Sequence, residues 1–243
     1  MNLDPDSLER LVPEDLIAGD TTGGDTLDLH RARYEFASGF LSAAGRCLDI
    51  ACGVGYGTRL LAKGGGRGVS VLGVDISPAA IDHARRHYAG DGIEFRLADA
   101  MRFHDPEGFD AIVSLETIEH LEHPREFVDR LAELLRPGGV LIASVPTTPS
   151  VDLNPHHRHD FHELSFRRLV QHHEWVEIDC LRQTQPVNPT SVLVRREVRM
   201  QGLRRNLPIY YARHPDALWR RLVSTLRHGF CNRYITVAWR SSR

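Results

Sequence analysis

Lysine is nearly missing from this chain: among its 243 residues Lys63 is the only one, and arginine carries the rest of the positive charge. Acids balance it to a formal net charge of −2, so the chain lacks the overall basic excess of a nucleic-acid-coating protein. No apolar run reaches the ~18 residues that a membrane-spanning helix needs. Met1 to Arg10 mix acids with a proline and lack the basic-then-apolar order of a secretory leader. Cysteine is also scarce. Cys47, Cys52, Cys180 and Cys231 form no C-x-x-C pair and no spacing that reads as a disulfide framework. Two of them fall in apolar runs that read as buried strands, which suits free thiols in a reducing cytoplasm. A cytoplasmic protein is therefore expected.

What is present is ordinary globular composition, without internal repeats or long low-complexity segments, at a length that suits one sizeable core. Residues 1–29 are polar, with Gly and Asp clusters, and read as a flexible N-terminal arm. A helical pattern follows from His30 to Leu41. Strand and helix signals then alternate. Cys47–Ala51, Val69–Val74, Ile93–Leu97, Phe109–Leu115 and Val140–Val145 read as strands. Thr58–Ala62 opens a helix, Pro78–Tyr88 is a helix capped by Ser77, and Pro124–Leu135 is a helix ended by Arg136-Pro137-Gly138-Gly139. This βαβ alternation predicts an α/β fold, a mostly parallel sheet covered by helices on both faces. After Pro146 come a His-rich loop, a helix near Leu164–His172, and strands at Trp175–Gln183 and Cys231–Trp239. A basic, partly helical insert, 186–230, lies between those two strands.

The segment Asp49-Ile50-Ala51-Cys52-Gly53-Val54-Gly55-Tyr56-Gly57 follows a strand and precedes a helix. Glycines there let a backbone approach a ligand closely, or simply make a tight turn. The third glycine comes one place early for the dinucleotide pattern G-x-G-x-x-G, where Thr58 stands instead. A pyrophosphate would also be opposed by Asp49. A cofactor bearing positive charge, with an ammonium and a sulfonium, would be favoured by it. Asp75 ends the next strand, where an acid grips ribose hydroxyls. Asp99 ends the third strand, placed either to accept from an adenine amine or to make a turn.

The ordered segments D-I-A-C-G-V-G-Y-G, V-D-I-S-P-A-A-I, F-R-L-A-D-A, F-D-A-I-V-S-L-E-T-I-E-H-L and L-R-P-G-G-V-L-I-A-S-V-P are similar to those of class I S-adenosylmethionine-dependent methyltransferases. The likeness covers about His30 to Phe166. It implies a Rossmann-like seven-stranded sheet whose last strand is antiparallel. It also implies S-adenosylmethionine as cofactor, contacted at its methionine part by Gly53 and Gly55, at its ribose by Asp75 with Ile76 beside it, and at its adenine by Asp99 and Ala100. Three further stretches, His30–Ala37, Glu116–Leu121 and Asn154–Phe161, resemble a bacterial subgroup found among genes for glycans and glycosylated products. There the early helix closes over the cofactor, which makes Arg33 and Tyr34 candidate contacts; plain packing of that helix is the alternative.

Glu116 ends the fourth strand, with Glu119 and His120 in the next turn, where all three can face one pocket. The loop carrying His156, His157, His159 and Asp160 opens onto the same rim. An acceptor hydroxyl must lose a proton, so His120 is the expected base, with Glu116 at the catalytic position. A second reading is a metal site of Glu116, Glu119, His120 and His157, suited to Mg²⁺ or Mn²⁺ with Zn²⁺ also admissible. This spacing resembles the metal-binding set of small-RNA 3′-terminal 2′-O-methyltransferases. A structural role for these acids and histidines is the third. The acceptor is expected to be a small molecule or glycan, methylated on a sugar hydroxyl. RNA 2′-O-methylation, N- or C-methylation, and a non-catalytic cofactor-binding scaffold are the alternatives. Nucleic acid is disfavoured by the near-neutral charge. Arginines of the insert, Arg204 and Arg205 among them, beside Tyr210, Tyr211 and Trp219 fit an anionic acceptor, or else a solvated basic face. Nothing in the sequence fixes the oligomeric state.

Overall fold

The computed structural model describes residues 21–41, 45–187, 204 and 206–242. Its centre is a seven-stranded sheet in the order β3-β2-β1-β4-β5-β7-β6. The strands are β1 (Arg46–Ile50), β2 (Ser70–Asp75), β3 (Ile93–Leu97), β4 (Phe109–Leu115), β5 (Leu135–Pro146), β6 (Trp175–Pro186) and β7 (Cys231–Ser241). The first five pair in parallel; β7 inserts between β5 and β6 and is antiparallel to both. Strands β1, β2 and β4 are buried nearly end to end. That explains their unbroken apolar runs, because a parallel sheet must be covered on both faces.

The helices are α1 (Thr21–Ser38), α2 (Tyr56–Gly65), α3 (Pro78–Tyr88), α4 (Pro124–Leu134), α5 (Glu163–Val170), α6 (Leu207–Arg213) and α7 (Pro215–His228). On one face of the sheet Phe127, Leu131 and Leu134 of α4 join Phe166 and Val170 of α5 over Ile112, Leu141 and Val237. On the other, Tyr34, Ala37 and Leu41 pack with Leu61 of α2 against Val71, Val113 and Ile142. Ser77 caps α3 as expected, its hydroxyl accepting from Ala80 N at 3.3 Å, with Pro78 in the first turn.

Two boundaries differ from the sequence expectation by more than a few residues. Residues 21–29, read as part of a flexible arm, are helical, so α1 begins nine residues before His30; residues 1–20 lie outside the described residues. Gly23 and Gly24 are poor helix formers, and tertiary contacts outweigh them. Gln183 and Gln185 of β6 donate to the Leu29 carbonyl and to Thr26 Oγ1, each at 3.0 Å. Strand β5 also begins early, at Leu135, where a helix end was expected. Its pairing with β4 shifts register between Phe109 and Ala111, so Arg136–Gly139 bulge out of the ladder. Asp110 holds that bulge by accepting from Arg136 Nη1 at 2.8 Å.

Candidate active site

The parallel strands end on one rim, and the expected site residues lie on it except Arg33 and Tyr34 of α1 and Asp49, which lies beneath it. After β1 the chain turns through Ala51, Gly53 and Gly55, all with positive φ (61°, 57° and 91°). A side chain at Gly55 would sit 2.6 Å from Ala84 Cβ, whereas one at Gly53 would meet nothing within 4 Å. Gly55 is therefore required by packing. Gly53 faces open space, which leaves its backbone approachable.

Asp75, at the end of β2, holds the turn open. One carboxylate oxygen accepts from Gly53 N and the other from Ser77 N, both at 2.9 Å. Beside Asp75, Ile76 is an apolar side chain left 58 % exposed, with half-exposed Leu97 ending β3. Asp99 accepts from Met101 N at 2.9 Å and so forms its turn, while it and Ala100 stay half-buried.

Asp49 is placed differently from the others. It lies beneath the turn, 1 % exposed, accepting from Thr58 Oγ1 at 2.6 Å and from Tyr34 Oη at 3.5 Å. Burial pushes its carboxyl up to about 7, against the lowering effect of those two hydrogen bonds. The Tyr34 ring lies on Gly57, where a Cβ would stand 1.9 Å from Tyr34 Cζ.

Arg33 runs inward from α1 and is almost wholly buried. It donates from Nε to Gln183 Oε1 at 2.7 Å, stacks over the Tyr234 ring at 4.3 Å, and brings Nη1 to 3.5 Å from Glu116 Oε1. That Nη1 makes no hydrogen bond among the described residues and meets Glu116 only at ion-pair range.

Glu116 adopts φ +50°, the left-handed region that a non-glycine residue seldom enters. The bend turns its carboxylate back on the sheet, where it accepts from Ser144 Oγ at 2.7 Å. The next residues form a 3-10 turn, Ile118–His120, pinned by Ile118 in the core. Glu119 is buried, and its carbonyl accepts from Arg158 N at 2.8 Å. This folds the histidine loop back over the turn. His120 and His157 meet edge to face at 4.6 Å between ring centres. Ligating atoms of Glu119, His120 and His157 lie within 4.8 Å of one another. The sequence expectation put Glu116 in the same pocket; its pairing with Ser144 and Arg33 directs it elsewhere, so the cluster is Glu119, His120 and His157.

His120 Nδ1 lies 3.2 Å from the His156 carbonyl. A carbonyl only accepts, so in the neutral ring Nδ1 carries the proton and Nε2 has the lone pair. His157 Nδ1 lies 2.6 Å from Ser150 Oγ. The loop is shaped by Asp160, which accepts from Ser150 N and Val151 N at 2.7 and 3.0 Å.

Sequence reasoning missed the anchor of the insert. Buried Asp152 accepts from Arg221 Nε at 2.8 Å and from Tyr211 Oη at 2.6 Å. Arg204 donates to the Asp152 carbonyl at 3.2 Å and stacks on Tyr210. Arg204 thus helps to hold the insert in place. Arg195, Arg196, Arg199 and Arg205 lie outside the described residues. No spacing rule links Asp152 to Arg221, 69 positions away, so no local signal marked the pair.

The chain matches the family model described as "Methyltransferase domain" over residues 48–143. It is 30 % identical over 166 residues to a ubiquinone biosynthesis O-methyltransferase of Nitrosococcus oceani, covering 61 % of this chain and 68 % of that protein. The chain belongs to the class I S-adenosylmethionine-dependent methyltransferases. A protein of the same description from Xylella fastidiosa strain M23 is 35 % identical over 121 residues, 48 % of each chain. The chain thus spans about half the length of several curated relatives it matches. Among solved structures, the N-methyltransferase NodS of Bradyrhizobium japonicum, in complex with S-adenosylhomocysteine, superposes with a TM-score of 0.58 at 18 % identity, over 89 % of this chain and 87 % of that one. That likeness speaks for the fold.

The residues present suit the family's cofactor. Open space over Gly53, an acid at Asp75, exposed apolar Ile76 and the buried Arg33 guanidinium make a cradle for a ribose, a flat base and a carboxylate. No helix among the described residues is long and apolar enough to cross a membrane.

Proposed function

We propose that this methyltransferase methylates a hydroxyl oxygen, with a sugar hydroxyl of a glycan or glycosylated product as acceptor and His120 as the base. The carrying observation is the His156 carbonyl at His120 Nδ1, which directs the basic Nε2 away from that contact. The O-methyltransferase names of the relatives support the acceptor atom. The sugar class rests on the motif likeness around His30–Ala37 and Asn154–Phe161. Bound S-adenosylmethionine supplies a methyl group on a sulfonium, a good leaving group, with Gly53, Gly55, Asp75, Ile76, Asp99, Ala100 and Arg33 holding it. The chain's own work is alignment and proton removal. His120 Nε2 takes the proton as the acceptor oxygen forms its bond to the methyl carbon. Glu119, close by, stabilises the imidazolium that results. Glu116 keeps Arg33 in place.

The convergence of Glu119, His120 and His157 favours one second reading, a divalent cation that lowers the hydroxyl pKa. The two readings separate cleanly. With a metal-free base, a chelator leaves turnover intact and His120→Ala lowers it by about 10²–10⁴-fold. With a metal, chelation abolishes turnover and Mg²⁺ or Mn²⁺ restores it. Full turnover in His120→Ala rejects both.

A further inference from the structure

In water, a helix on a protein surface turns its apolar stripe inward and its charges outward. Helix α7 leaves an apolar stripe outside. Its inward residues are small or polar: Ala217 is buried, and Arg221 reaches in to Asp152. Its outward side carries an apolar stripe beside exposed Asp216, Arg220 and Arg227. Trp219 is 67 % exposed and Leu226 86 %, with Leu218 and Leu222 also exposed. At 100° per residue these four side chains share an arc of about 100°. Phe230, 61 % exposed, follows just past the helix end, and Ile209 of α6 is exposed as well. Burying this face is worth far more than leaving it in water.

Charge decides what covers it. Arg227 and Arg220 lie roughly 80–100° beyond the apolar arc on one side, and Arg213 ends α6. Arg220 is paired to Asp216 at 2.7 Å and to Asp160 at 3.6 Å, which leaves Arg213 and Arg227 without an acid partner among the described residues. A second copy of the chain would bring these arginines against their own counterparts. The preceding stretch 188–203 has Arg195, Arg196 and Arg199 against Glu197, so it repeats the positive sign and does not neutralise it. An anionic bilayer answers both features: acyl chains for leucine, tryptophan and phenylalanine, and headgroups for arginine.

We propose that α7, with Phe230 and Ile209, is a membrane-docking surface that lays this protein on anionic lipid. The helix is roughly 21 Å long and would lie in the plane of the interface, with Trp219 at headgroup depth. Because Asp152 ties α7 to the loop after β5, docking sets the catalytic rim beside the lipid surface. If the proposed O-methylation holds, the acceptor is then a glycan carried on a lipid phosphate.

Docking is tested without acceptor or cofactor, by co-sedimenting the full chain with vesicles of phosphatidylcholine alone and with added phosphatidylglycerol. Binding to the anionic vesicles is expected, weakening as salt rises. Trp219→Gln with Leu226→Gln should lower it by about tenfold or more. Arg213→Gln and Arg227→Gln should each cost about fivefold on anionic vesicles only. All four positions face outward, so unchanged circular dichroism and melting show that the variants fold. Failure to bind either vesicle overturns the proposal. So does binding indifferent to Trp219→Gln with Leu226→Gln, or a dimer in solution that those two substitutions abolish.

Discussion

Single side chains carry the cofactor site's electrostatics, and Asp49 carries the most distinctive part. Its carboxyl is raised to about 7 from 3.8 by burial. Between those values the folded chain keeps a proton that the unfolded chain has released. The group's contribution to stability is therefore complete at low pH and falls as pH rises from about 4 to about 7, then levels off. Asp49→Asn removes that dependence. The melting temperature of the variant minus that of the parent should climb across this window, and a flat difference would reject the shift. A cationic ligand near the turn should draw the proton off Asp49. S-adenosylmethionine affinity should then rise with pH up to about 7 in the parent and not in Asp49→Asn, as calorimetry would show. The presence of an acid here and its conflict with a pyrophosphate were legible in the sequence. Its burial under Tyr34 was not, because that depends on a helix fifteen positions upstream folding over it.

Elements were legible where one local rule governs them. The runs at Ile93–Leu97 and Phe109–Leu115 and the Ser77-Pro78 start of α3 stand where periodicity and capping put them. The α1 start and the β5 bulge were hidden, since glutamines of β6 and the Asp110–Arg136 pair decide them from far along the chain. Contact between α1 and α2 is the sharpest case. A Cβ at Gly57 would fall inside the Tyr34 ring, which is itself buried. Gly57→Ala should destabilise the fold by about 1–3 kcal/mol through overpacking, lowering the melting temperature by ~2–12 °C at this size. The Tyr34→Ala, Gly57→Ala double variant should lose less than the sum of the singles, since removing the ring removes the clash. Strict additivity would mean that α1 does not close on the glycine-rich turn.

Across the whole molecule the chain divides its labour. The residues placed at the cofactor turn come before the end of β5, apart from the Gln183 and Tyr234 contacts that seat Arg33. The helices α6 and α7 are tied to the loop after β5. The two halves meet at Asp152, whose carboxylate takes both Arg221 and Tyr211 and whose carbonyl takes Arg204. Asp152 is 2 % exposed and the Arg221 side chain 20 %, so the pair sits in a low dielectric. Asp152→Ala leaves a guanidinium half-buried without its anion, at a cost of roughly 3 kcal/mol, the low end for such a breakage. That loss falls on α6 and α7, of whose described residues only Ala217 is buried, and not on the sheet. Protease cleavage within 207–228 should accelerate, while S-adenosylmethionine affinity stays within about twofold, because an opening confined to one unit leaves the rest of the fold intact. With an acceptor in hand, its KM should rise and the cofactor's should not. A parallel fall in cofactor affinity would mean that the insert and the cofactor turn form one cooperative unit.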